Sequence, residues 1–277
     1  MARQHDENTM LLDDAQLQWL RQLQLPWRTL ATRGIAGERR SFTGRGNEPE
    51  LLRRYQYGDD VRRIDWPATL RLQRPTVRQP QAVMPGRVHV LLDTSPSMHV
   101  VSTKWAIARQ ICAAVGVVAT AHGDSVSGMV DAHSSPWFND ANQWLSWVNQ
   151  IQASPSPMQT APAVVPCQLI VVISDLWHEE VLQSIQHLRQ HCAQLMVVHT
   201  LAATEVSPEP GEEITLRDSE RADEVTLTLT AQTIQKYQDA LEAWCEHLRV
   251  HCLAHDVDYT RCHAAQSLVT IMNEVLQ

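Results

Sequence analysis

The sequence has no apolar run that approaches the roughly twenty residues needed to cross a membrane. Its first ten residues, MARQHDENTM, include acidic side chains and no apolar core, so they do not have the pattern of a signal peptide. Low-complexity segments and internal repeats are also missing, because the fourteen prolines and ten glycines are spread along the chain. We therefore expect a soluble globular protein.

Cysteine is sparse, and no pair is spaced as C-x-x-C. The six cysteines are scattered, mostly within apolar stretches. Disulfide frameworks belong mainly to short secreted chains, whereas this chain has 277 residues. We expect buried free thiols and, from them, a cytoplasmic location.

Positive charge is scarce overall but concentrated near the N-terminus. The net charge is −8, yet residues 1–87 carry fifteen arginines against ten acids, and residues 88–277 carry eight basic residues against twenty-one acids. The front part either pairs with the acidic remainder or meets an anionic partner such as nucleic acid. The acids interleaved with its arginines favour internal pairing, and we expect no nucleic-acid binding.

Hydrophobic periodicity is weak in the front part of the chain and strong in the rest. In the front part an amphipathic helix over 14–24 stands out, followed by a glycine- and arginine-rich stretch. Beyond it, apolar runs such as Val88–Leu92 and Leu169–Ile173 alternate with helical patterns. The sequence predicts an α/β fold with a mostly parallel sheet and helices on both faces over 87–277, and an N-terminal appendage over 1–86 packed on it.

The loops that follow parallel strands lie along one edge of such a sheet, where these folds bind ligands. The predicted strands cover 88–92, 125–130, 137–138, 169–173, 195–199 and 257–261. The predicted helices cover 103–121, 142–151, 179–191, 231–254 and 264–276, with a polar hairpin region at 204–229.

A D-T-S-P-S motif follows the first apolar strand directly. Side chains at alternate positions of extended chain point the same way, so the oxygens of Asp93, Ser95 and Ser97 are spaced to converge. Oxygen ligands without nitrogen or sulfur suit a hard cation such as Mg²⁺ rather than Zn²⁺. A turn or a helix cap is the alternative interpretation of an isolated Asp-Ser-Ser cluster.

A second carboxylate follows the L-I-V-V-I strand. Asp175 ends the run L-I-V-V-I-S-D, and its strand is expected beside the first one. Thr160, in the loop before that strand, offers a further hydroxyl, although a plain loop threonine is the alternative. The placement of both aspartates after buried strands favours a metal site.

Residues 44–79 resemble the signature of a bacterial family, the domain of unknown function 58. The pattern is G-x-G-x-E followed by R-x-Y-x-x-G-D-D-x-R-x-I-D-W, and the resemblance continues through LLDTSPSM, GDSVSG and LIVVISD. It implies a von Willebrand factor A-like fold with a metal-ion-dependent adhesion site that uses Asp93, Ser95, Ser97 and Asp175. It also implies a link with MoxR-type AAA+ ATPases, for which such proteins look like adaptors or co-chaperones.

Two other groups of polar residues are candidates for a role. The dense Arg–Asp alternation over 59–66 suits a hydrogen-bonded clasp between the appendage and the main domain, with a binding surface as the alternative. Catalysis by Asp59 and Asp60 is disfavoured because neighbouring strand residues face opposite ways. His247, His251 and His255 have a helical spacing that can hold Zn²⁺, but the zinc-binding motif H-E-x-x-H is absent, so a zinc site is disfavoured. The tryptophans at apolar helical positions are expected in the core.

These features favour a non-enzymatic protein-binding module that holds one Mg²⁺ or Mn²⁺ and accepts an acidic side chain from a protein partner. An enzyme that uses Asp93 as a phosphoryl acceptor or Ser95 as a nucleophile is the first alternative. G-x-S-x-G is absent, and position 95 is not a second aspartate. Nucleic-acid binding by the arginine-rich front segment is the other alternative.

Overall fold

Strands and helices alternate from residue 87 onward, as the periodicity predicts. The computed structural model describes residues 11–26, 50–80, 85–130, 133–154, 166–178, 180–208, 214–217, 224–227 and 230–276. The strands are β1 (Glu50–Arg54), β2 (Thr76–Pro80), β3 (Arg87–Leu92), β4 (Ser125–Val130), β5 (His133–Ser134), β6 (Cys167–Ser174), β7 (Cys192–Leu201), β8 (Ile214–Arg217), β9 (Glu224–Leu227) and β10 (Asp258–His263). The helices are α1 (Asp14–Leu20), α2 (Trp66–Leu72), α3 (Pro96–His99), α4 (Ser102–Ala121), α5 (Ala141–Asn149), α6 (Val181–Arg189), α7 (Ala203–Val206), α8 (Ala231–Ala254) and α9 (Leu268–Val275).

A six-stranded sheet in the order β10-β7-β6-β3-β4-β5 forms the centre of the fold. Its neighbouring strands are parallel, except that β5 runs antiparallel to β4. The mixed α/β architecture with a mostly parallel sheet is confirmed. Two antiparallel pairs, β1 with β2 and β8 with β9, stand apart from this sheet.

Both faces of the sheet are covered by apolar side chains. In β6, Leu169, Val171 and Ile173 lie in a core cluster with α4, α5 and α9, whereas Ile170 and Val172 lie in a second cluster with α6 and α8. Alternate side chains of a strand point to opposite faces, so a continuous apolar run fills both cores. The helices on the two faces follow from this pattern.

Two glycines make room for the tryptophans of α5. A Cβ on Gly116 of α4 would lie 2.0 Å from Nε1 of Trp144, and one on Gly128 of β4 would lie 1.9 Å from the Trp147 ring. Trp144 is fully buried, and its Nε1 donates to the carbonyl oxygens of Cys112 and Ala113, both at 3.2 Å. The expectation that the tryptophans belong to the core is confirmed for Trp144.

The first described segment contributes to the main core. Helix α1 begins at an Asp13 capping box, and it ends at Leu20 rather than at residue 24 as predicted. Leu11, Leu12 and Leu25 are buried with Leu20 in the cluster that contains α4. Leu23, the last apolar residue of the predicted helix face, packs against the same cluster from irregular chain, so its apolar spacing did not require a longer helix.

One short predicted strand lies elsewhere. Residues 137–138 were expected to pair, but the strand beside β4 is β5, and Phe138 makes only an isolated bridge to Val126.

All six cysteines lie in described parts of the chain and are free. No helix in the described ranges combines the length and the apolarity of a membrane span.

The connection order places a switch point between β3 and β6. From β3 the chain passes to β4 on one side, and it later returns to β6 on the other side, followed by β7 and β10. In open parallel sheets the crevice outside the carboxyl ends of two such strands is the usual ligand position. Both predicted carboxylate ligands follow these two strands.

Candidate metal centre

The ends of β3 and β6 bring Asp93, Ser95, Ser97 and Asp175 to one edge of the sheet. The Asp93 backbone N–H donates to the Ile173 carbonyl oxygen at 2.9 Å, which extends the strand pairing to the site. Asp93 and Ser95 are each 2% exposed and Asp175 is 1% exposed, whereas Ser97 is half-buried. Oxygen donors from two distant parts of the sequence therefore meet in a buried position.

Hydrogen bonds within the D-T-S-P-S turn orient its oxygens. Asp93 Oδ1 accepts from the Ser95 backbone N–H at 2.9 Å, and the Ser95 and Ser97 Oγ atoms are 3.0 Å apart. Ser95 stands at the N-cap position of α3, but its hydroxyl makes no capping hydrogen bond. The capping alternative therefore does not account for this hydroxyl.

Ser174 joins the two halves of the site and was not among the predicted residues. Its Oγ donates to Asp93 Oδ2 at 2.6 Å and accepts from the Leu176 backbone N–H at 2.9 Å. Leu176 is buried with φ of 56°, a left-handed conformation that is rare for leucine. Such strain at a turn beside polar groups is typical of functional sites.

Lys104, in the first turn of α4, is the second residue that the motif did not reveal. Its Nζ lies 2.9 Å from Asp175 Oδ2 and 2.6 Å from Glu205 Oε1, and its side chain is 0% exposed. Glu205 belongs to α7, and its Oε2 accepts from the Ala202 backbone N–H at 2.7 Å. The ammonium group thus links the end of β6 to the chain after β7.

A signal for Lys104 does exist in the sequence. It is one of two lysines in the chain, and it precedes Ile107, Ala108 and Ile111 at helical spacing on an apolar face. A lone lysine on the buried face of a helix requires a partner, because an unpaired buried charge is costly. The partners are 71 and 101 residues away, so local spacing does not identify them.

Burial governs the electrostatics of the site. It raises the pKa of Asp93, and the neighbouring Asp175 carboxylate raises it further, against hydrogen bonds from Ser174 and Ser95 that lower it. Burial lowers the pKa of Lys104, but Asp175 and Glu205 together outweigh burial and raise it. Burial and the Asp175 carboxylate therefore destabilise the ionised form of Asp93, and a cation bound beside Asp93 would relieve this.

His178 and Trp177 lie on the open side of the site. Burial lowers the pKa of His178, although the nearby Asp93 and Asp175 carboxylates oppose that shift. His178 is half-buried and Trp177 is 41% exposed, both immediately after Leu176. These two side chains and the half-buried Ser97 form the part of the site that a partner can reach.

The chemistry of the donor set fits a divalent cation. Three carboxylates (Asp93, Asp175 and Glu205) and one ammonium (Lys104) leave a net charge of −2 in the ionised state. Ser95 and Ser97 add neutral hydroxyl oxygens, and Mg²⁺ and Mn²⁺ favour such oxygen ligands. Within the described residues no group of three or more His, Cys, Asp or Glu side chains is arranged to hold a metal, so Asp93 and Asp175 would need the neutral Ser95 and Ser97 hydroxyls to complete a site.

Thr160, the remaining predicted ligand, lies outside the described residues. The described chain before it ends at Ser154, which is buried and whose backbone N–H donates to the Thr94 carbonyl oxygen at 2.8 Å. Ser154, the last described residue before Thr160, thus lies beside the D-T-S-P-S turn. Its role as a ligand stays a prediction.

The contacts of the other candidate groups include helix caps and a pair of stacked rings. Asp60 caps a 3₁₀ turn by accepting from Arg62 N at 3.0 Å, and Asp65 caps α2 by accepting from Ala68 N at 2.9 Å. The rings of His251 and His255 stack at 4.4 Å. The long-range clasp expected of the Arg–Asp segment stays a prediction.

Comparison with protein families gives one extended match. The model of the family described as protein of unknown function DUF58 matches residues 51–245. Uncharacterised proteins of Mycobacterium bovis and Mycobacterium tuberculosis are 46% identical over 55 residues, which is 20% of this chain. That match spans only 17% of the length of these relatives.

Two solved structures are similar at a lower level. The conserved hypothetical protein BatB of Bacteroides thetaiotaomicron is 14% identical with a TM-score of 0.36, over 69% of this chain and 97% of that one. An aerotolerance-related membrane protein of Bacteroides fragilis is 15% identical with a TM-score of 0.37, over 69% and 98%. Similarity at this level does not extend the site assignment.

Proposed function

This chain belongs to the DUF58 family, and from that premise we propose that it is a non-enzymatic, metal-dependent protein-binding module of the von Willebrand factor A type. Asp93, Ser95, Ser97 and Asp175 would hold one Mg²⁺ or Mn²⁺, with Thr160 as a further candidate ligand. The partner supplies a carboxylate, and a MoxR-type AAA+ ATPase in the cytoplasm is the first partner to test. The chain would serve such an ATPase as an adaptor or co-chaperone.

The observation that carries this proposal is the buried pair of aspartates at the switch point. Two carboxylates that follow neighbouring strands far apart in sequence lie close enough for Asp175 to raise the pKa of Asp93, with only one ammonium among the partners described for Asp175. Buried carboxylates of this kind require a compensating cation. A bound dication would supply that compensation and an electrophilic centre for a further oxygen ligand.

The proposed metal would have a coordination position that the ligands of this chain leave open, and this position is why we propose a protein partner. Ser95 and Ser97 would supply neutral oxygens, so the ion would stay electrophilic and could accept one more carboxylate from an incoming Asp or Glu. Ser97, Trp177 and His178 leave the approach partly open. A carboxylate from a partner is favoured by Coulomb attraction, whereas the acidic remainder of the chain discourages nonspecific anions.

The geometry gives less support to an enzyme. Both oxygens of Asp93 accept hydrogen bonds in a 2% exposed position, so neither is presented for attack on a phosphoryl group. The Ser95 hydroxyl contacts Ser97 rather than a basic residue that would activate it. We therefore propose binding rather than catalysis.

Capture of a MoxR-type ATPase by the full chain tests the proposal. We expect binding in Mg²⁺, loss of binding in excess EDTA, and loss with the double variant Ser95→Ala/Ser97→Ala. Ser102→Ala, an exposed serine at the start of α4, is the matched control and should bind normally. The circular dichroism spectra should be unchanged in all variants. Equal capture in EDTA and by the double variant would remove the adhesion mechanism.

A further inference from the structure

We infer that Lys104 is a built-in counter-ion that sets the charge of the metal centre and thereby its preference for a divalent over a trivalent cation. This inference rests on the proposed metal site and deepens it. It assigns a role to the buried ion pair that links Lys104 to Asp175 and Glu205, which the D-T-S-P-S motif does not include.

The geometry fixes the ammonium group at the site. Lys104 Nζ bonds to Asp175 Oδ2 at 2.9 Å and to Glu205 Oε1 at 2.6 Å, and the lysine side chain is 0% exposed. Glu205 is itself held in place, because its second oxygen accepts from the Ala202 backbone N–H at 2.7 Å. Lys104 is therefore a positioning residue that touches a proposed ligand and not a ligand itself.

The charge of the cluster depends on this one residue. With a metal bound and Asp93 ionised as its ligand, Asp93, Asp175 and Glu205 would contribute three negative charges, and Lys104 would reduce the total to −2. Without the ammonium the cluster would carry −3, which matches a trivalent ion. Electrostatic energy scales with the charge of the bound ion, so loss of Lys104 should strengthen trivalent binding more than divalent binding.

A purely structural role for Lys104 makes a different prediction. A buried ion pair that only joins α4 to α7 would lower stability when it is broken, because the surviving charge is left unpaired. It would not change the relative affinity for ions of different charge. The ratio of Tb³⁺ to Mg²⁺ affinity therefore separates the two roles, since both ions prefer oxygen ligands.

The experiment measures that ratio by calorimetry in the full chain and in three variants. Lys104→Met leaves the cluster at −3, Glu205→Gln leaves it at −1, and the double variant Lys104→Met/Glu205→Gln returns it to −2. Glu246→Gln, in an exposed ion pair with Arg249 on α8, removes an equal charge elsewhere and is the matched control. Thermal unfolding without metal verifies that each variant is folded.

We expect the Tb³⁺ to Mg²⁺ ratio to rise about tenfold or more in Lys104→Met and to fall similarly in Glu205→Gln, given Coulomb energies at short range. The double variant and Glu246→Gln should retain the wild-type ratio. If Lys104→Met does not fold, the fall in Glu205→Gln and its reversal in the double variant carry the same test.

Three results would overturn the inference. A constant ratio in every folded variant would leave Lys104 as a structural ion pair while the metal site stands. A double variant that keeps an altered ratio would show that geometry rather than charge sets the preference. Failure of the wild-type chain to bind either ion would instead overturn the proposed metal site itself.

Discussion

Two regions of this protein are rich in aspartate, and they use it in opposite ways. In the signature segment (Glu50–Pro80), Asp60 and Asp65 accept hydrogen bonds from backbone N–H groups two or three residues further on. At the sheet edge, Asp93 and Asp175 come from strands far apart in sequence and are almost fully buried. The caps join residues that are close in sequence, whereas the aspartate pair at the sheet edge requires the completed sheet.

The surroundings of the two regions differ as much as their hydrogen bonds. Tyr57, Trp66 and Leu70 of the signature segment are exposed, at 104%, 63% and 78%. Lys104 at the sheet edge is 0% exposed and neutralises part of the carboxylate charge. The family signature therefore does not by itself locate the buried charged residues, because the signature motif and these residues lie in different regions of the chain.

Removal of residues 1–86 should have the largest effect on the stability of the protein. A chain that begins at Arg87 loses the signature segment and also Leu11, Leu12, Leu20 and Leu25, which are buried against α4. Each buried leucine contributes about 1.5–3 kcal/mol, so the shortened chain should be poorly soluble or unfold at a lower temperature. Thermal unfolding measures this.

Two single substitutions test which residues account for this loss of stability. Leu20→Ala should lower the free energy of unfolding by about 2–5 kcal/mol because the residue is fully buried. Leu70→Ala, in the exposed part of α2, should change it by less than about 0.5 kcal/mol. A shortened chain with an unchanged midpoint would mean that neither α1 nor the predicted clasp over 59–66 supports the main domain.

Asp93→Ala should abolish Mg²⁺ binding, with a loss of affinity of at least about a hundredfold, or about 2.7 kcal/mol. The other proposed ligands are mostly neutral hydroxyls, so the removed carboxylate supplies much of the attraction. Asp60→Ala, an exposed aspartate of the signature segment, is the matched control and should bind Mg²⁺ normally. Calorimetry that finds equal affinity in wild type and Asp93→Ala would contradict the site.

Asp175→Asn should weaken metal binding by about tenfold rather than abolish it, because the side chain keeps its size and one oxygen but loses its charge. The substitution also leaves Lys104 with Glu205 as its remaining described carboxylate partner. Calorimetry at several Mg²⁺ concentrations measures the change. An effect as large as that of Asp93→Ala would assign the two aspartates equal weight in the site.

The sequence was sufficient for the features that depend on periodicity. The bounds of β4 and α8 match the predicted 125–130 and 231–254, and the apolar runs place β3 and β6 correctly within two residues. Because such strands are neighbours in the sheet, Asp93 and Asp175 were expected at one edge. Each of these inferences uses information within a single element or between two adjacent ones.

Three contacts of the site cannot be predicted from hydrophobic periodicity. Lys104 meets Asp175 and Glu205 only after α4, β6 and α7 are packed, and Ser174 reaches Asp93 across two strands. The strand expected at 137–138 is reduced to a single bridge between Phe138 and Val126, while the Phe138 ring packs on α5 and the Trp137 ring packs on His89. Long-range partners are chosen by tertiary packing, so they became visible only in the structure.

Asp65→Ala should have a modest effect on stability, and it tests whether the signature segment is stabilised by its helix cap. Asp65 precedes α2 and accepts from Ala68 N at 2.9 Å, and the loss of such a cap costs about 0.5–2 kcal/mol. Asp65→Asn keeps a capping oxygen, so it should retain most of the stability, and Mg²⁺ affinity should be unchanged in both variants. Chemical denaturation and calorimetry measure the two quantities. If Asp65→Ala also lowered Mg²⁺ affinity, the signature segment and the sheet edge would be coupled, and the contrast between local caps and a buried charged centre would fail.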